Sequence, residues 1–190
     1  MLTLCGVPAF GQLVIDEVDY DQPGSDTTEW IEIRLDWDDL YSLSGVALVL
    51  YDADLNGNCT EYCRVDLSSL VVMGPQQIIV IGAHPNAVLP LCASVNAIRN
   101  GASDALVIED GTTILHSVEY AAGQTSVCNF PFHLTSNVDN DVFDGSLQRC
   151  WSFWPFVQES TPGLPNDCSA VTDVPPLPPE TWGTIKQVYK

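Results

Sequence analysis

Apolar residues recur at alternate positions along this chain in short runs, and turn-rich segments separate one run from the next. Leu13 to Ile33 sets the pattern: Val14, Val18 and Tyr20 fall on one row, the row breaks at Gln22-Pro-Gly-Ser25, and Trp30, Ile31 and Ile33 resume it. A period of two is that of a strand, and Pro-Gly marks a turn, so the stretch predicts two strands joined by a hairpin or a crossover. Ser42 to Tyr51 is a strand-length β-branched run entered through Ser44-Gly45, Cys63 to Leu67 alternates briefly, and Gln76 to Gly82 is apolar on both faces. The segment His84 to Gly101 is rich in turn residues. After it, Asp104 to Glu109 and Thr112 to Tyr120 flank Asp110-Gly111, a pair suited to the positive φ angles of a type I′ hairpin turn. A polar loop over 123–143 leads to Asp144–Trp154, and Thr161-Pro-Gly-Leu-Pro-Asn166 closes the pattern. Strands at this spacing, with no competing amphipathic helix, predict an all-β antiparallel sandwich.

Charge narrows the partners. There are 25 Asp and Glu against 6 Lys and Arg, a formal net charge of −19, and the acids crowd between Asp16 and Asp66. Such a field repels phosphate backbones and anionic lipid while attracting divalent cations, so no nucleic-acid partner is expected. No apolar run reaches the roughly 18 residues of a membrane span. The same acids also serve to keep an extracellular domain soluble.

Of the seven cysteines, Cys5 stands apart in the N-terminal apolar piece, and Cys59, Cys63, Cys92, Cys128, Cys150 and Cys168 remain. They form no paired CxxC units and have no histidine at zinc-ligand spacing, which argues for disulfides in an oxidising compartment. Spacing alone leaves their pairing open, although Cys150 and Cys168, each beside an apolar run, are not both expected to stay free. Residues 1–12 look like the end of a secretory signal peptide without its basic start, or else an N-terminal strand or a disordered leader. A secreted or cell-surface protein follows from the first reading.

One loop carries metal chemistry. Asp52, Asp54 and Asn56 place oxygen donors at alternate positions, Gly57 sits where the loop must turn sharply, and Asn58 offers a main-chain carbonyl, as in the first half of an EF-hand Ca²⁺ loop. Cys63 occupies the twelfth position in place of Glu, so Glu61 or a distant acid would complete the site. The alternative is an Asx-rich turn joining two strands without any ion. Asp139, Asp141 and Asp144 form a second, weaker candidate.

No hydrolase, zinc-protease or phosphate-loop motif is present. His84, His116 and His133 are scattered, and His116 falls inside a predicted strand with no sequence-adjacent catalytic partner. In Trp151-Ser-Phe-Trp-Pro-Phe156, alternation sends Trp151 and Phe153 to one face and Trp154 to the other, so core packing competes with a sugar-stacking platform.

Val14–Gly24 with Glu29-Trp-Ile-Glu32, then Leu43–Val49, Ile98–Val107, Gly145-Ser-Leu-Gln-Arg149 and Thr161–Asn166, taken as an ordered set over about Leu13 to Asn166, resemble a lamin-tail domain of the secreted bacterial branch. The resemblance implies an immunoglobulin-like β-sandwich without catalytic residues, used as a binding or attachment module on secreted and surface proteins. Nuclear relatives bind DNA, which the missing basic residues here do not support. The added cysteines and the Asp52–Cys63 loop depart from the pattern.

After the sandwich (13–169), Val174-Pro-Pro-Leu-Pro-Pro179 within 170–180 reads as a stiff spacer. Residues 181–190 hold both lysines of the chain, and Trp182, Ile185 and Tyr189 share one face of a short helix that needs a partner to form. The expected function is therefore a non-catalytic secreted binding, adhesion or structural module. Its partner would be a protein, a surface polysaccharide or a copy of itself, with Ca²⁺ as the one candidate cofactor. The alternatives are a self-assembling filament subunit and a small metal-dependent hydrolase.

Overall fold

In the computed structural model the residues described are 13–20, 27–36, 38–53, 58–93, 97–99, 104–120, 128, 130, 145–150, 154–157 and 159–170. They build an all-β sandwich. The strands are β1 (Leu13–Asp19), β2 (Trp30–Leu35), β3 (Tyr41–Ser42), β4 (Val46–Ala53), β5 (Cys59–Asp66), β6 (Val72–Met73), β7 (Ile78–Gly82), β8 (Ala87–Leu89), β9 (Asp104–Asp110), β10 (Thr113–Tyr120), β11 (Ser146–Gln148) and β12 (Phe156–Val157). One sheet runs β12-β11-β1-β2-β7-β8 and the other β10-β9-β4-β5, while β3 and β6 pair separately. All pairings are antiparallel except β7 with β8.

The inner faces meet in one apolar core. Leu13, Ile15, Val18, Ile31, Ile33, Leu35, Ile79, Ile81 and Leu147 come from the first sheet, and Val46, Leu48, Leu50, Val65, Leu106, Ile108 and Val118 from the second. Each such aliphatic side chain contributes roughly 1.5–3 kcal/mol through burial.

The alternation in β1 differs from the expected row. Ile15 pairs with Ile33 but Glu17 pairs with Glu32, so Asp16 is an extra residue on β1, a β-bulge. The bulge moves the inward positions by one: Leu13 and Ile15 precede it in the core, Val18 and Tyr20 follow it, and Val14 is buried outside that cluster. A simple period of two cannot register such a step.

The β9–β10 turn is corrected likewise. Asp110 pairs with Thr113, leaving Gly111-Thr112 as the loop, and positive φ is confined to Gly111 (60°). That is the pattern of a II′ turn, since I′ needs both central residues positive. Gly82, at φ 141°, lies opposite Trp30, and a Cβ there would come within 2.4 Å of the Glu29 carbonyl oxygen. β8, inside the stretch expected to be turns, and the two-residue strands β6 and β12 had no legible alternation.

The sheet edges are short, bulged or charged. β5 carries Glu61, Arg64 and Asp66, β10 is bulged between Ile114 and His116, β8 has three residues, and β12 has two. Each device discourages strand addition.

Three disulfides join Cys59 to Cys128, Cys63 to Cys92 and Cys150 to Cys168. Cys5 lies outside the described residues.

Candidate functional site

The outer face of the first sheet holds buried acids. The Asp16 bulge, with alternation in β1 and β2, turns Asp16, Glu17 and Glu32 away from the core, yet each is fully buried. What buries them is the closing segment. Leu164 N–H bonds the Thr161 carbonyl at 2.8 Å, and Gly163 has φ 83°, so Thr161-Pro-Gly-Leu164 is a turn with Pro at its second position and a left-handed Gly at its third, as type II requires.

This turn aims donors at the carboxylates. Thr161 donates its N–H to Glu17 Oε1 and its hydroxyl to Glu17 Oε2, both at 2.8 Å, and Gly163 donates its N–H to Glu32 Oε2 at 2.7 Å. From β11, Ser146 Oγ and Gln148 Nε2 (3.1 Å) also donate to Glu17. Asn166 Nδ2 donates to the carbonyls of Asp16 (2.8 Å) and Arg149 (3.0 Å), and Asp167 N–H donates to Gln148 Oε1 (2.9 Å). Cys150–Cys168 ties the end of the segment to the same strand region.

Beside it lies a closed ionic square. Arg34 bonds Asp16 (3.2 Å) and Asp36 (2.7 Å), while Arg149 bonds Asp16 (3.1 Å) and Asp36. His116 Nδ1 accepts the Ile15 N–H at 3.3 Å, next to the bulge.

Electrostatics follow the burial. Desolvation pushes the Glu32 carboxyl up to about 8 against the pull of the Gly163 N–H, and the charges of Glu17 and Asp16 add to the rise. Glu17 is raised by burial and held back by its hydrogen bonds, first that from Ser146. Asp16 is raised by burial against Arg34 and Arg149. Burial, with the positive Arg149, lowers His116 to about 4, so its imidazole is neutral and free to accept. A neutral Glu32, a Glu17 that accepts several internal donors and a closed Arg–Asp square hold the segment in place.

The candidate calcium residues fall elsewhere. Asp52, in β4, is ion-paired with Arg99, and Arg99 also stacks over the Tyr62 ring at 4.7 Å. Glu61, in β5, is paired with Arg64 at 2.7 Å, which lowers its pKa. Asn58 is exposed just before β5, and Asp54 and Asn56 lie outside the described residues. β4 and β5 pair antiparallel, and residues 54–57 between them lie outside the described residues. Among the described residues no group of three or more His, Cys, Asp or Glu is placed to hold a metal ion. Asp139, Asp141, Asp144, Trp151, Phe153, His133, Trp182, Ile185 and Tyr189 are outside the described residues, whereas Trp154 packs into the core.

Every arginine of the chain is ion-paired: Arg34 and Arg149 in the square, Arg64 with Glu61 and Glu109, Arg99 with Asp52. No helix among the described residues is long and apolar enough to cross a membrane. The stretches quoted separately from the sequence, around Asp16-Glu17, Glu32, Arg149 and Thr161–Asn166, thus meet in one network. Reasoning from sequence missed the partners of those acids, though Thr-Pro-Gly was a legible turn signal. Compared with protein-family models the chain matches none, and a search of curated proteins finds no match either.

Proposed function

We propose that this chain is a non-catalytic module of lamin-tail type, an immunoglobulin-like sandwich that works outside the cell in binding, adhesion or structural support. The observation that carries this reading is the use of the clustered acids: Glu17, Glu32 and Asp16 are each spent on the closing segment or the arginines, so they serve cohesion. Three disulfides in a chain of this charge favour an oxidising, extracellular setting. Its partner is a protein or a surface polysaccharide. Calcium, in this reading, is a stabiliser at the Asp52–Asn58 loop, and Asp52 must exchange Arg99 for the ion.

The test pairs retention with turnover. The full chain should be held on immobilised polysaccharide or on bacterial cell surfaces without altering them, and should turn over no ester, phosphoester or glycoside substrate with or without divalent metal. Metal-dependent hydrolysis that disappears in a folded Glu17→Gln variant would overturn the module reading. Calorimetry with millimolar Ca²⁺ tests the ion separately: heat and a raised Tm support it, and neither removes it.

A further inference from the structure

One end of the sandwich combines exposed apolar groups with strain. Leu40, Val71 and Val72 are 72%, 67% and 39% exposed. Their backbones lie close: Ser42 pairs with Val72 across β3 and β6, Leu40 immediately precedes β3, and Leu43 N–H donates to the Val71 carbonyl at 3.0 Å. Val71 has φ 62° and ψ −63°, a γ-turn geometry that a β-branched residue adopts at a penalty, and here no burial offsets it. Strain that presents an apolar side chain to solvent points to contact with something else. The surroundings are acidic: Asp38 and Asp39 directly precede Leu40, Asp66 lies two residues before the Ser68–Leu70 turn that leads into Val71, and these three and Asp110 are exposed. Asp110 lies close enough to Tyr41 in β3 to raise its pKa, after burial.

The segment that complements this patch is in the same chain. Residues 181–190 hold the only two lysines, Lys186 and Lys190, with Trp182, Ile185 and Tyr189 at the spacing of one helix face. A short series of contacts leads from the end of the described residues towards the patch. Cys168 has its Cα 5.6 Å from that of Cys150, Arg149 precedes Cys150 and pairs with Asp36, and Leu40 is the fourth residue after Asp36. Residues 171–180, at about 3.1 Å per residue for a proline-rich stretch, reach on the order of 30 Å.

We propose that Trp182–Tyr189 docks within its own chain on the Leu40–Val71–Val72 patch, the two lysines meeting the surrounding aspartates. The argument rests on the patch and the charges, and stands whether or not the module reading holds.

Zero-length carbodiimide cross-linking of the full chain, read by peptide mass spectrometry, tests it, because lysine amines occur only in the tail. An equal mixture of ¹⁴N and ¹⁵N protein separates links within a chain from links between chains. The expected result is Lys186 or Lys190 joined to Asp38, Asp39, Asp66 or Asp110 of the same chain. Those links should fall to background in Leu40→Ser/Val72→Ser, and also in Trp182→Ala, which leaves the body untouched. Links of mixed isotope, links spread over acids elsewhere, or links unchanged in Trp182→Ala would each overturn the proposal.

Discussion

Gly163 donates its backbone N–H to Glu32 Oε2 at 2.7 Å, which fastens the closing turn to the outer face of β2 through a carboxyl group that burial keeps protonated to about pH 8. The other oxygen, Glu32 Oε1, is buried with no hydrogen-bond partner among the described residues. The attachment is therefore sensitive to anything that would charge that side chain.

Glu32 gives the first prediction. Its folded pKa is above the unfolded value of 4.5, so its contribution is fully present below pH 4.5 and is lost as pH rises through about 8. Over that window the native state holds the extra proton, and stability falls by at most about 1.4 kcal/mol per pH unit from this group. Glu32→Gln, which stays neutral, should flatten the slope between pH 6.5 and 8. Urea denaturation across that range compares the two proteins, and equal slopes would contradict the assignment.

His116 works in the opposite sense and in a lower window. Its folded pKa of about 4 is below the unfolded 6.5, so its contribution is present above pH 6.5 and is lost as pH falls towards 4. The total is on the order of 3 kcal/mol. Protonation removes the acceptor for the Ile15 N–H and puts a cation beside Arg149, with Asp36 the opposing charge. His116→Phe should be less stable at pH 7 by about 1–3 kcal/mol, for the unpartnered amide, yet lose less on acidification to pH 4. Denaturation at both pH values reads the two effects.

The Cys150–Cys168 bridge closes a short loop, at a separation of 18, and Cys59–Cys128 a long one, at 69. Chain-entropy reasoning assigns them about 3 and about 4.4 kcal/mol respectively. Replacing each pair by alanine and measuring unfolding free energy should show the larger loss for Cys59→Ala/Cys128→Ala. Cys150→Ala/Cys168→Ala should in addition make the segment 159–170 the earliest site of proteolysis.

Gly82 and Gly111 both have positive φ but differ in their surroundings. A Cβ on Gly82 would lie 2.4 Å from the Glu29 carbonyl oxygen and 2.6 Å from Trp30 Cα, whereas one on Gly111 meets nothing within 4 Å. Gly82→Ala must displace backbone as well as accept conformational strain, and should cost about 2–4 kcal/mol. Gly111→Ala meets only the strain, about 1–2 kcal/mol. Thermal melts of the two variants should keep that order.

Much of the sandwich was legible because its strands alternate or are apolar on both faces. Ile78–Gly82 and the Asp104–Tyr120 hairpin stand where the pattern put them, give or take a residue. The reading slipped where one residue changes the phase: the bulge at Asp16 exchanged Val14 for Leu13 and Ile15 in the core. The candidate site was harder to see because its members are far apart in sequence. Thr161 meets Glu17 across 144 positions, and nothing near Glu17 predicts that a distant Thr-Pro-Gly turn will cap it. Asp52 and Glu61 show the converse. Their spacing suggested shared coordination, yet each lies on its own strand and takes an arginine.

Tension applied through residues 171–190 would enter the body at Cys168 and pass by the covalent crossing to Cys150. From there it reaches the β11–β1 region and bypasses the hydrogen-bonded Thr161–Asn166 turn. A tether pulled from that end would thus leave the cap seated until the sheet itself began to part, and reduction of this one bond would make the cap the first piece to peel.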